Sequence, residues 1–186
     1  MNKFLIVGLG NPGHNYVGTR HNIGFEILDQ CAEHFSTSFE ELKYGSLAKF
    51  KMKGRSVHLL KPSTFMNLSG KAVRYYLQSY KINLNNLLVS ADDLHLPLGT
   101  IRLKRGGRDG GHNGHRDIID KMNSCNYARL KFGIGSDFDF GEQSNFVLGT
   151  WPENQREIVN ACIKKSISAI IDFCSLGIDD AMKNHN

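Results

Sequence analysis

The sequence is poor in anything that would remove it from the class of ordinary globular proteins. No apolar run approaches the roughly 20 residues that a membrane-spanning helix needs. The N-terminal MNKFLIVGLG has a single Lys and a short apolar run before glycine appears. That is too brief for a signal peptide and reads as a first buried strand. There is no repeat, low-complexity tract or linker, so residues 1–186 are expected to form a single domain. The 4 cysteines, Cys31, Cys125, Cys162 and Cys174, include no C-x-x-C pair, which argues against a zinc knuckle or redox dithiol. Three of them lie among Ile, Leu and Ala at helical spacing, as small buried hydrophobes in a reducing compartment. A cytoplasmic protein without membrane contact is expected. No serine sits in a G-x-S-x-G elbow, and no H-E-x-x-H set accompanies His112 and His115. Neither a metal nor a cofactor is expected.

What is present is mostly average: 40% hydrophobic and 22% charged residues. The net charge is +5 and the pI about 9.0, a mild excess that suits a polyanionic partner. The basic residues are concentrated. Arg102, Lys104, Arg105, Arg108 and Arg116 fall within the glycine-rich IRLKRGGRDGGHNGHRD. A charge run is usually a solvated face. Here the glycines would also admit an anion to the backbone N–H groups, which favours phosphate binding.

Periodicity predicts alternating elements. Phe4–Leu9 reads as a buried strand. Ile23, Ile27, Cys31 and Phe35 mark a helix that begins near His21 or Asn22. Leu47–Phe50 and Ser56–Leu60 read as strands joined by a turn at Lys53-Gly54. Leu68, Ala72, Val73, Tyr76, Leu77 and Tyr80 mark a second helix. Strands are predicted at Leu87–Ala91, Thr100–Leu103 and Ala128–Ile134, a short helix at Asn113–Met122, and a long helix from Pro152 to Leu176. Residues 177–186 are polar and expected to fray. The class is α/β: three layers, with a mixed, largely parallel central sheet between helices.

GLGNPG, residues 8–13, matches the dinucleotide fingerprint G-x-G-x-x-G directly after a strand. In that motif the glycines turn straight into a helix, and an acid ends a second strand about 20 residues on. Here Pro12 and the loop HNYVGTRH intervene, and Glu26, Asp29 and Glu33 fall within a helix. A nicotinamide oxidoreductase therefore stands only as an alternative, as does an RNA-binding module without catalysis.

Ligands of open α/β sheets gather beyond the C-terminal strand ends. Four segments plausibly converge there, bringing His21, Asp92 or Asp93, the carboxamides of Asn11, Asn67 and Asn113, and Tyr16, Phe65 and Met66. Neutral histidine can take a proton from water. A carboxylate on its other ring nitrogen fixes the tautomer and steadies the imidazolium. Carboxamides can hold an oxyanion without adding charge. Each residue also has a plainer role: His21 as a helix cap, Asp92 as a turn residue, Asn11 as a turn initiator before Pro12, Phe65 and Met66 as core.

In order along the chain come VGLGNPG, then Y-x-x-T-R-H-N-x-G from Tyr16 to Gly24, then P-x-T-F-M-N-x-S-G. D-x-L-x-L-P-x-G from Asp92 to Gly99, GGHNG, RLKFGIG and FVLG follow. Together these motifs resemble the bacterial peptidyl-tRNA hydrolase family over nearly the whole chain. The resemblance implies a monomeric α/β enzyme that hydrolyses the ester between a peptide and the 3′ end of tRNA, with peptidyl-tRNA as its partner. It implies that His21 is the base activating water and Asp92 its orienting acid, with Asp93 the second choice. Asn11, Asn67 and Asn113 would hold the carbonyl, the water or the terminal adenosine, and Tyr16, Phe65 and Met66 would line the cleft. Lys104, Arg105 and Arg108, with Arg116, would meet the RNA. The sequence departs from the family pattern in three places. Asp93 and His95 replace Glu and Asp in DDLHLP, Lys131 stands where Arg is usual, and SDFDFGEQSN is acidic where relatives often carry a basic residue that grips tRNA.

Overall fold

The structure is a computed structural model and describes residues 2–186. Its strands are β1 (Lys3–Gly8), β2 (Glu40–Leu42), β3 (Gly45–Met52), β4 (Arg55–Pro62), β5 (Leu87–Asp93), β6 (Ile101–Lys104) and β7 (Ala128–Gly133). Its helices are α1 (Ile23–His34), α2 (Ser69–Tyr80), α3 (Asn113–Met122), α4 (Gln143–Val147), α5 (Arg156–Leu176) and α6 (Ile178–His185). The strands form one sheet in the order β2-β3-β4-β1-β5-β7-β6. The central β4, β1, β5 and β7 run parallel, while β2, β3 and β6 pair antiparallel at the two flanks. This is the expected mixed α/β architecture.

The strands do not alternate apolar and polar because both faces of the sheet are covered. In β1, Phe4 and Ile6 enter the core shared with α1 and α5, while Leu5 and Val7 enter the core shared with α2. β5 does the same, with Leu88 on the α1 side and Leu87, Val89 and Ala91 on the other. This parity carries to the end of β5 and decides where its two aspartates point.

Two glycines of GLGNPG, Gly8 and Gly10, have packing duties. A Cβ on Gly8 would lie 2.1 Å from the carbonyl oxygen of Gly24, and one on Gly24 would lie 2.5 Å from the Leu9 nitrogen. The start of α1 is thus pressed onto the end of β1, with no room for a side chain between them. Gly13, the last glycine of the fingerprint, has φ +100° and is followed by two 3-10 turns before α1 begins, so the glycines do not turn straight into a helix as the dinucleotide alternative requires.

Three elements were not anticipated. β2 is a short edge strand of exposed residues, and α4 has no buried residue to mark it. The third is the tail. Instead of fraying, residues 178–185 form α6, with Ala181 buried and Ile178 and Met182 packed on the main core. His185 bonds Asp172 of α5 at 2.9 Å. The Asn186 carboxamide accepts from the Leu103 N–H (2.8 Å) and donates to the Leu103 carbonyl (2.9 Å) on the outer edge of β6. Long-range contacts therefore order a segment whose local composition is polar. Among the described residues, no helix is long and apolar enough to cross a membrane.

Candidate active site

Beyond the C-terminal ends of β1, β5 and β7 lies a cavity of about 740 Å3. Asn11, His21, Phe65, Met66, Asn67, Asp92, Arg108 and Asn113 all line it, so most of the expected site residues do converge. Tyr16, Lys104 and Arg105 do not line it.

His21 sits in a 3-10 turn, Arg20–Asn22, immediately before α1. Arg20 holds this turn: its guanidinium lies 4.2 Å from the Phe146 ring centre and donates to the Phe146 carbonyl at 3.1 Å. The Nδ1–H of His21 reaches both oxygens of Asp92 at 2.9 Å. Its Nε2 has no hydrogen-bond partner among the described residues and belongs to the cavity wall. Asp92 meets His21 because it lies four residues after Leu88 and so shares the α1 side of the sheet with it. Asp93 points to the opposite face, where it pairs with Lys131 at 2.6 Å and accepts from the His95 N–H. The second-choice partner for His21 is thereby ruled out by strand parity.

A residue not singled out for this role completes the cluster. His112 is the N-cap of α3: its Nδ1 accepts from the Gly114 N–H at 3.2 Å. A neutral ring that accepts at Nδ1 carries its proton on Nε2, and this proton goes to Asp92 at 3.0 Å. The two imidazoles lie 4.9 Å apart, centre to centre, with one carboxylate between them. The sequence signal was modest: a histidine immediately before the start of a short helix, in a loop expected at the site.

Burial alone would raise the pKa of Asp92, but the hydrogen bonds of His112 and His21, and the positive charge either ring carries when protonated, outweigh it and hold the group far below the usual carboxylate range. Burial alone would lower the pKa of His21; the charge and hydrogen bond of Asp92 outweigh it and raise the pKa above the ordinary 6.5. His115, one turn into α3, is buried against the Tyr127 hydroxyl at 2.9 Å, and desolvation first, then His112 and Arg129, push it well below 6.5. It is a neutral core histidine.

His21, Asp92 and His112 bring ligand-type atoms within 4.8 Å of one another. The proton arrangement opposes a cation. A metal on His112 Nε2 would shift the ring proton to Nδ1, where Gly114 already donates.

Asn11 is fixed by three hydrogen bonds. Its backbone N–H donates to Asn22 Oδ1 and its carbonyl accepts from Asn22 Nδ2, each at 2.9 Å. Its own Oδ1 accepts from the Met66 N–H at 2.8 Å. The Nδ2 of Asn11 is then the polar group left for the cavity. Asn22, expected only near a helix start, is what locks Asn11. In the PSTFMN loop the apolar pair divides. Met66 is buried, at 4% exposure, in the α2-side core, so its side chain is chiefly core rather than platform. Phe65 is 55% exposed on the cavity wall.

The basic segment divides as well. Arg108 reaches the cavity because buried Arg129 bonds the carbonyls of Gly107 and Arg108 and pins the loop. Arg105 instead pairs with Asp179 of α6, and Lys104 lies exposed on β6. Tyr16 sits in the 3-10 turn His14–Tyr16, where its carbonyl accepts from the Thr19 hydroxyl at 2.8 Å. Lys131 lines the cavity but is engaged by Asp93. The departures at 93 and 131 are thus the two halves of one ion pair.

A family model described as Peptidyl-tRNA hydrolase matches residues 5–186. The chain is similar to the peptidyl-tRNA hydrolase of Bacteroides fragilis, at 48% identity over 99% of this chain and 98% of the relative. It is similar to that of Porphyromonas gingivalis at 46% identity over 99% and 100%. The crystal structure of peptidyl-tRNA hydrolase from Acinetobacter baumannii superposes with a TM-score of 0.93 at 36% identity, covering 100% of this chain and 95% of the other.

Proposed function

From the premise that this chain belongs to the peptidyl-tRNA hydrolase family, we propose how its residues cleave the ester between a peptide and the 3′ end of tRNA. The family makes it a hydrolase acting on peptidyl-tRNA, and the reading as a binding module without catalysis falls away. Neutral His21 takes a proton from water through Nε2, and the water oxygen attacks the ester carbonyl carbon. Its Nδ1–H, held at 2.9 Å by Asp92, keeps the lone pair on Nε2. The imidazolium that forms faces a carboxylate already ionised. Negative charge gathers on the carbonyl oxygen. Asn11 Nδ2 is the best-prepared donor for it, since the other end of that carboxamide is occupied. Asn67 and Asn113 offer two further carboxamides on the same cavity. As the C–O bond breaks, His21 returns the proton to the ribose oxygen, and the peptide leaves as a carboxylic acid that gives its remaining proton to solvent.

Arg108 offers charge to the RNA, and exposed Phe65 offers a ring on which an unpaired base can stack. His112 acts through Asp92 and is a positioning residue. The observation that carries this reading is the His21–Asp92 bond with a free Nε2 on a cavity lined by the carboxamides of Asn11, Asn67 and Asn113. The test is release of free tRNA from N-acetyl-aminoacyl-tRNA beside unblocked aminoacyl-tRNA, with wild type and His21→Ala. Rapid release from the blocked substrate alone, lost in the variant with tRNA still bound, supports it. Normal hydrolysis by His21→Ala removes that residue from the chemistry.

A further inference from the structure

The FVLG segment, Phe146–Gly149, splits by role. Val147 and Leu148 line the cavity, while Phe146 and Gly149 do not. These two meet Arg20 instead, 126 residues before Phe146. The Arg20 backbone N–H donates to the Gly149 carbonyl at 3.0 Å, and Thr19 forms a one-residue bridge with Thr150. The Arg20 guanidinium donates to the Phe146 carbonyl at 3.1 Å. It also lies over two rings, 4.2 Å from the centre of Phe146 and 5.2 Å from that of Trp151. A Cβ on Gly149 would stand 2.9 Å from the same guanidinium, so only glycine lets the chain pass there. Trp151 in turn packs on Phe132, ring centres 6.3 Å apart, and Phe132 is the cross-strand partner of Asp92.

Arg20 is buried, yet among the described residues no carboxylate pairs with it and its Nε–H has no hydrogen-bond partner. A buried cation without an acid partner lowers stability, and an uncharged chain of the same length would fill the space with less loss. What the guanidinium adds is direction. A planar group held by one carbonyl and two rings is fixed in orientation. Its neighbour in the chain is His21. Thr19 and Arg20 thus tie the turn that carries the base to both ends of the Val147–Leu148 wall. We propose that Arg20, clamped by Phe146, is a positioning residue for the hydrolysis. It holds the Nε2 of His21 in place relative to the Val147–Leu148 wall, and so relative to an ester bound in the cavity that both border. This rests on the function proposed above. A misplacement of about 1 Å is enough to slow such a step about 100-fold.

The experiment measures kcat and KM on N-acetyl-aminoacyl-tRNA across pH, well below the lowest melting temperature of the set. The set is wild type, Arg20→Met, Phe146→Leu, Phe146→Tyr and the double variant Arg20→Met/Phe146→Leu, with binding of deacylated tRNA alongside. Arg20→Met keeps the length and loses the fork. It should lower kcat about tenfold, with KM and deacylated tRNA affinity within about twofold of wild type. The acid limb of the pH profile should keep its midpoint, because the change is one of place and not of charge. Phe146→Leu should act alike, and Phe146→Tyr should retain the wild-type kcat. The double variant should be no slower than Arg20→Met, since both remove one joint. A folded Arg20→Met with wild-type kcat overturns the proposal. So does a loss confined to KM, a moved midpoint, or effects that add in full in the double variant. If Arg20→Met does not fold, the kcat of Phe146→Leu against that of Phe146→Tyr decides. If wild type releases no tRNA, the underlying function falls and the proposal with it; an active wild type beside an equally active Arg20→Met removes this inference alone.

Discussion

The cluster around Asp92 and the arginines of the glycine-rich segment 102–116 are neighbours built on opposite terms. Around Asp92 the side chains are nearly closed off: Asp92 is 3% exposed, His112 10% and His21 14%. Each polar atom there has a named partner, except the Nε2 of His21 that faces the cavity. In the basic segment Arg105 is 71% exposed and Arg116 55%, and both are held by aspartates at the surface. Low dielectric makes the first set strongly coupled, while water and salt weaken the second. The first should therefore govern rate and the second affinity, and single substitutions should have very unequal effects.

The largest break in that contrast comes from His21→Ala, which should lower kcat by roughly 10³-fold in single-turnover hydrolysis while leaving tRNA affinity nearly unchanged. A comparable loss of affinity would dissolve the division between the two regions. Asp92→Asn should cost roughly 10²-fold and should also move the pH profile. The base works only when neutral, and its pKa lies above 6.5, so the acid limb of wild-type kcat/KM should have its midpoint above 6.5. Without the carboxylate charge, burial is the remaining influence and lowers the pKa, so the limb should shift toward acid. A limb that stays in place would detach Asp92 from His21.

Asn11→Ala removes a donor aimed at the cavity and should cost about 10²-fold in kcat. Its Oδ1 also accepts from Met66 N–H, so the melting temperature must be recorded beside it. Normal specific activity with a lowered melting temperature would make Asn11 purely a loop fastener. In the basic segment, Arg108→Ala should weaken tRNA binding and reduce the slope of log K against log salt by about one. Arg105→Ala should do less, because its guanidinium is already engaged by Asp179. Equal effects would show that the RNA reaches around β6 and displaces that pair.

Much of this was legible in the chain, for identifiable reasons. Buried parallel strands announce themselves as apolar runs, so β1, β5 and β7 were plain. The motif segments at 11, 67 and 92 fall at or after strand ends, and those at 21 and 113 stand at helix starts above them, where such folds place their ligands. Which of two adjacent aspartates serves His21 was open in sequence and is decided by strand parity. His112 was passed over because its partner lies 20 residues away, and only the capping geometry of α3 turns the ring toward it. Met66 looked like platform because a loop was expected, whereas the loop dips into the α2-side core. Arg105 looked free because α6, which supplies its partner, looked like a frayed tail.

The carboxamide of Asn186 answers a hazard that catalysis never meets. An outermost strand offers unpaired N–H and C=O groups to any passing chain, and this is how sheets grow between molecules. At one border β2 is only three residues long and carries Glu40 and Glu41, whose charge discourages a stranger. At the other border the side chain of Asn186 takes both hydrogen-bonding groups of Leu103, as a neighbouring strand would. One amide serves as a counterfeit strand and leaves that pair of groups with nothing to offer a second chain.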